Sequence, residues 1–133
     1  MALKGVVRGE KRPPRVLLYG PCGIGKSTFG NDADAPIFVT TEDGVDNLPV
    51  DQFPQAKNYE ALLQNVSEVA SGDHEYKTIV IDTLNGAAEL CAQEICNSQF
   101  GGAWVSKKGK EGFNAFAQGW QSVSEEMRTM MVL

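Results

Sequence analysis

The sequence predicts an α/β domain built on a mainly parallel sheet flanked by helices. Three observations carry that expectation. Short β-branched and aliphatic runs alternate with segments whose apolar residues recur at helical spacing. A glycine-rich loop separates the first apolar run from the first helical segment. Ile79-Val80-Ile81 is apolar at every position, as in a strand buried on both faces. Strands and helices in this alternation favour parallel pairing through crossover connections.

Residues 1–14 read as a basic N-terminal arm ending in Pro13-Pro14, and residues 15–133 as the domain. Arg15 to Tyr19 is an apolar run stopped by Gly20-Pro21, and so a first buried strand. A short helix from Lys26 ends near Gly30-Asn31, and Ile37 to Thr41 is a second strand rich in β-branched residues. The segment from Glu42 to Gln55 carries acids, Gly44, Pro49 and Pro54, which makes it a loop. Asn58 can cap a helix from Tyr59, whose Leu62, Leu63, Val66, Val69 and Ala70 share a face before Gly72 ends it. Thr78 to Ile81 runs into Asp82 as a third strand, and residues 84–96 are helical. Residues 97–112 are glycine-rich and basic. From Phe113, the set Phe113, Phe116, Trp120, Val123, Met127 and Met130 marks a last amphipathic helix.

Composition bounds the function. The chain has 133 residues, enough for one domain, and apolar and charged fractions ordinary for a globular protein. No stretch approaches the ~20 apolar residues of a membrane span, and the N-terminus lacks the apolar core of a signal peptide. Three cysteines without metal spacing suit a reducing cytoplasm. The net charge is −5, yet Lys4, Arg8, Lys11, Arg12 and Arg15 crowd the arm, and Lys107, Lys108 and Lys110 form a second basic cluster. An acidic body with local basic segments can hold nucleic acid if those segments face one groove.

Gly20-Pro21-Cys22-Gly23-Ile24-Gly25-Lys26-Ser27 matches G-x-x-x-x-G-K-[ST] in full. This phosphate loop, the P-loop or Walker A motif, binds a nucleoside triphosphate with magnesium, ATP being the one expected here. Its glycines accept positive φ, so successive N–H groups can turn toward an anion. Lys26 reaches the β- and γ-phosphates, the Ser27 hydroxyl is a magnesium ligand, and Thr28 completes the binding segment 20–28. Cys22 reads as a small filler or as a thiol acidified by its position at a helix start.

Asp82 closes the third strand, where P-loop enzymes place the carboxylate of Walker B that organises magnesium, although Asp there could also cap the following helix. Glu42 follows the second strand and would project from the same sheet edge, placed to activate water; Asp43 is its rival. Phe100, Trp104, Lys107, Lys108, Lys110 and Phe113 mix cations with aromatics, as single-stranded nucleic acid requires, or form a solvated loop with Phe113 and Trp104 packed on the core. His74 lies in a polar turn and reads as a surface residue.

Gly20 to Ser27, Phe38 to Gly44 and Ile79 to Leu84 together resemble RecA-like ATPases. Within them the chain is similar to a group of phage ATP-binding proteins that includes single-strand annealing proteins. The residues carrying that likeness are Glu42 to Leu48, Tyr76 to Thr78 and Phe100-Gly101. The resemblance spans residues 15 to about 131 and implies ATP hydrolysis with Mg2+, Glu42 as the catalytic residue beside Lys26, and Asp82 as the magnesium-organising aspartate. It also implies DNA recombination on single-stranded DNA, contacts from the loop at 97–113, a homo-oligomer, and the host cytoplasm as setting. RecA-like sheets carry further strands with a γ-phosphate sensor, so the resemblance implies a domain incomplete at its C-terminus, with an exposed, aggregation-prone sheet edge. A nucleotide or small-molecule kinase and a nucleotide-binding switch use the same loop. A kinase lid needs arginine, and Arg128 is the only arginine after Arg15.

Overall fold

The computed structural model describes residues 3–42 and 48–132, the side chain of Phe116 excepted. Two parallel strands, β1 (Pro36–Thr40) and β2 (Thr78–Asp82), pair in register from Pro36 opposite Thr78 to Thr40 opposite Asp82. That register brings the carboxyl ends of both strands level, which sets Thr41 and Glu42 beside Asp82 and Thr83. On the far side of β1 the chain at 51–56 runs alongside: Phe38 N–H donates to Asp51 O (2.9 Å), Phe53 N–H to Phe38 O (3.0 Å) and Ala56 N–H to Thr40 O (2.9 Å). The end of the segment expected to be only a loop therefore covers one edge of the sheet.

Helix α1 (Lys26–Asn31) precedes β1, α2 (Tyr59–Ser71) joins the strands, and α3 (Leu84–Gln99) and α4 (Gln118–Met130) follow β2. Asn58 caps α2 by accepting from Ala61 N–H at 2.8 Å, as its sequence position predicts. The core lies between β1 and α2, α3 and α4, where Val39, Leu62, Cys91, Cys96, Phe113 and Met130 are fully buried. Phe38 is fully buried on the other face of β1, against α1 at Gly30. A continuous interior of this kind supplies most of the driving force for folding, roughly 25 cal/mol per Å² of apolar surface removed from water.

Three expectations are corrected. β2 is a strand but is not buried on both faces: Ile79 is exposed and Val80 and Ile81 are only partly buried, because β2 has β1 as its one strand neighbour among the described residues. Arg15 to Tyr19 is not a strand: it has no ladder partner among the described residues, and Val16, Leu17 and Tyr19 are exposed. A strand exists only where a neighbour satisfies its N–H and C=O groups, so an apolar run alone does not make one. The last helix does not begin at Phe113. A 3-10 turn at Ala115–Ala117 comes first, Ala117 takes a left-handed conformation (φ 58°), and α4 starts at Gln118. Phe113 is buried in the aromatic cluster that closes the preceding loop, which holds it off the axis of α4. The expected α/β layering is present, with a small parallel sheet of two strands among the described residues.

Candidate nucleotide site

The glycine loop carries the backbone its sequence demands. Gly23 (φ 79°) and Gly25 (φ 102°) are left-handed, and Gly25 caps α1. No side chain can cap that end, so the first-turn N–H groups of α1 have no side-chain acceptor. With only six residues, α1 contributes little macrodipole; those N–H groups and Lys26 supply the local positive character. Lys26 Nζ donates to Gly20 O (2.8 Å) and Pro21 O (2.9 Å), lying back across its own loop. Cys22 is exposed on the loop.

Ser27 is where the loop meets the sheet. Its Oγ donates to Asp82 Oδ2 at 2.6 Å, joining the first turn of α1 to the end of β2 across 55 positions of sequence. The approach depends on Gly30, one turn further along α1. A Cβ there would come within 3.0 Å of Val80 Cγ1 and 3.2 Å of Phe38 Cζ, so any side chain would press on both and push against this close approach of α1 to the strands. Asp82 does not cap the next helix. Thr83 does, its Oγ1 accepting from Gly86 N–H at 3.0 Å, which leaves the Asp82 carboxylate for Ser27. The Asp82–Thr83 peptide bond is cis.

Glu42 lies at the same edge. Thr83 Oγ1 donates to Glu42 Oε1 at 3.1 Å. Thr41, nearly buried, clamps the backbone of Thr83 from both sides: its Oγ1 accepts from Thr83 N–H (3.0 Å) and donates to Thr83 O (3.1 Å). Gly86 is buried against this clamp, and a Cβ on it would overlap Thr41 Oγ1. Thr41, Thr83 and Gly86 are therefore part of the site, although no motif in the sequence marks them as functional. The available signal was Thr83 itself, a good N-cap residue directly before a helical run. Asp43, the alternative to Glu42, lies outside the described residues.

This donor set fits a magnesium nucleotide. Mg2+ prefers hard oxygen ligands and usually takes one or two from protein, the rest from phosphates and water. Ser27 Oγ and Asp82 form such a pair, and the described residues hold no cluster of three or more His, Cys, Asp or Glu that would suit an all-protein cage.

The basic loop has a definite shape. Phe113 N–H donates to Ala103 O (2.8 Å) and Asn114 N–H to Trp104 O (3.0 Å), closing a neck. At its tip Lys107 and Lys110 pair in both directions (3.0 and 2.8 Å) around Gly109 (φ 83°). Lys107, Lys108 and Lys110 are exposed there. Trp104 is not at the tip: it is half-buried, its ring 4.8 Å from that of Phe113, which also meets Phe100 and Trp120 edge-on. It anchors the loop, while the three lysines face outward. His74 is exposed in its turn, as expected.

The family described as AAA domain matches residues 12–133, nearly the whole chain. The chain belongs to that family and is an AAA, P-loop-type ATPase domain. No curated protein matches it, and no solved structure does. No helix among the described residues is long and apolar enough to cross a membrane.

Proposed function

We propose that the chain binds ATP with Mg2+ on residues 20–28, hydrolyses it with Glu42 as general base, and uses the cycle to act on single-stranded DNA as a recombination or annealing protein of the phage type. The contact between Ser27 Oγ and Asp82 Oδ2 at 2.6 Å carries this reading, because it joins the glycine loop to a strand-end carboxylate beside Glu42.

Each residue has a task. Lys26 exchanges its loop carbonyls for phosphate oxygens, which offer a full negative charge in place of two dipoles. Ser27 and Asp82 would hold Mg2+, Asp82 directly or through water, and the ion would supply electrostatic stabilisation of the phosphate charge. Glu42 orients a water and takes one of its protons as the water oxygen bonds to the γ-phosphorus. The bridging bond to the β-phosphate breaks, ADP leaves with that electron pair, and inorganic phosphate is released. The lysine tip at 107–110 offers cations to a nucleic-acid backbone from a loop fixed by its aromatic neck. Homo-oligomers assembling along the strand in the host cytoplasm complete the proposal.

The test is phosphate release with and without single-stranded DNA, beside Lys26→Ala. Turnover that DNA stimulates and Lys26→Ala abolishes supports the reading. Turnover indifferent to DNA removes the nucleic-acid part. A phosphorylated acceptor in place of free phosphate identifies a kinase, and tight nucleotide binding with neither product identifies a switch.

A further inference from the structure

We infer that Thr83 is the positioning residue of the hydrolytic site, holding Glu42 through its hydroxyl; this rests on the reading of Glu42 as general base. A threonine hydroxyl has one proton to give and lone pairs to receive. Here the receiving side is occupied by Gly86 N–H at 3.0 Å, in the cap of α3. The one proton is thereby directed to Glu42 Oε1, 3.1 Å away. The Thr83 backbone cannot swing, because Thr41 Oγ1 grips both its N–H and its C=O. Gly86 leaves room for that grip, since any side chain there would displace Thr41.

Glu42 needs such a support. It is exposed at the end of β1, and no other hydrogen bond to its carboxylate occurs among the described residues. An exposed glutamate on three rotatable bonds samples many orientations, and a base is effective only within hydrogen-bond reach of the proton it takes. With Oε1 engaged by Thr83, Oε2 is left to a water. Thr83 caps α3 and Glu42 follows β1, so one hydroxyl links the two elements that meet at the end of the sheet.

The experiment compares Thr83→Val, Thr83→Ser and Glu42→Ala with the parent for kcat, KM and equilibrium Mg·ATP affinity. Thr83→Val is expected to lower kcat by on the order of tenfold to a hundredfold while KM and affinity stay near parental, because a displaced base impairs chemistry and not binding. Thr83→Ser, which keeps the hydroxyl, is expected to restore most of kcat. Thermal unfolding reads the contact independently of turnover: the melting shift of Thr83→Val should shrink in a Glu42→Ala background. Parental kcat in Thr83→Val beside an inactive Glu42→Ala overturns the role of Thr83 and leaves Glu42 standing. Parental kcat in Glu42→Ala overturns the reading of Glu42, and this inference with it. Equal loss in Thr83→Ser and Thr83→Val, or additive melting shifts, reduces Thr83 to a helix cap and also overturns it.

Discussion

Cys22, Cys91 and Cys96 carry the same side chain into opposite settings. Cys22 is exposed on the glycine loop, whereas Cys91 and Cys96 are fully buried in the core. Burial pushes the Cys91 thiol up from 9.0 to about 11, with the nearby carboxylates of Glu126 and Glu94 acting in the same direction and a hydrogen bond with Tyr59 opposing them. The same burial, with Cys91 and Glu126 beside it, raises the Tyr59 hydroxyl well above its ordinary value. At neutral pH an alkylating reagent should therefore modify Cys22 alone in the native protein and reach the other two after denaturation, with mass spectrometry of peptides as the measure. Mg·ATP should slow labelling of Cys22; an unchanged rate would place that thiol outside the nucleotide's footprint. The alkaline limb follows with a definite sign. A raised thiol pKa stabilises the native state fully below 9.0, and that contribution drains away as pH climbs toward about 11. Melting temperature should fall more steeply across this window in the parent than in Cys91→Ala. Residue chemistry of the bound type was readable in the sequence: Ser27 and Asp82 declare themselves by type and place, and they meet. Thr83 did not, because its task depends on which of two adjacent residues turns into the helix. Spacing cannot decide between Asp82 and Thr83 as the cap; the backbone direction after β2 does.

Helices and strands place those residues, and each placement hangs on a few close approaches. α1 reaches Asp82 because Gly30 lies against Val80 and Phe38. Gly30→Val would force the helix outward and part Ser27 from Asp82, weakening Mg·ATP binding on the order of tenfold. An unchanged affinity by equilibrium titration would show that α1 can reach the carboxylate by another route. At the other end of the domain a Cβ on Gly119 would overlap the ring of Phe113. Gly119→Ala should cost about 1–3 kcal/mol in denaturant unfolding through overpacking, and free the neck of the lysine loop. The helices α2 and α3 were legible because periodicity and caps agree: Asn58 and Gly72 bracket α2 as expected. α3 runs three residues past its expected end at 96, to Gln99, since no glycine or proline intervenes. Arg15 to Tyr19 forms no strand for a reason of the same scale. Apolar composition records a tendency to be covered, whereas strand formation needs a hydrogen-bonding neighbour, and pairing partners are not written in the run itself.

Across the whole molecule, charge is separated in a way that bears on the proposed DNA partner. The net charge of −5 is carried by a body whose α2, α3 and α4 line a groove with Glu60, Glu94, Glu125 and Glu126. Most of the cations lie on the exposed arm and at the lysine tip, although α4 itself carries Arg128 in its last turn. A polyanion approaching the acidic helices is repelled, so the basic segments would set both the orientation and the salt dependence of binding. For single strands each neutralised phosphate contributes about −0.7 to the slope of log K against log salt. If Lys107, Lys108 and Lys110 each meet one phosphate, replacing all three by Ala should make that slope shallower by about 2 and weaken binding uniformly across base sequences. Trp104 separates two versions of the interface. Packed on Phe113, it is committed to the neck, so Trp104→Ala should lower stability and lysine-tip order together, with no selective loss of base stacking. Fluorescence titrations of an oligothymidine at several salt concentrations measure all of this. An unchanged slope in the triple variant would move the nucleic-acid contact from the tip to the arm, where Lys4, Arg8, Lys11 and Arg12 can be neutralised in the same assay.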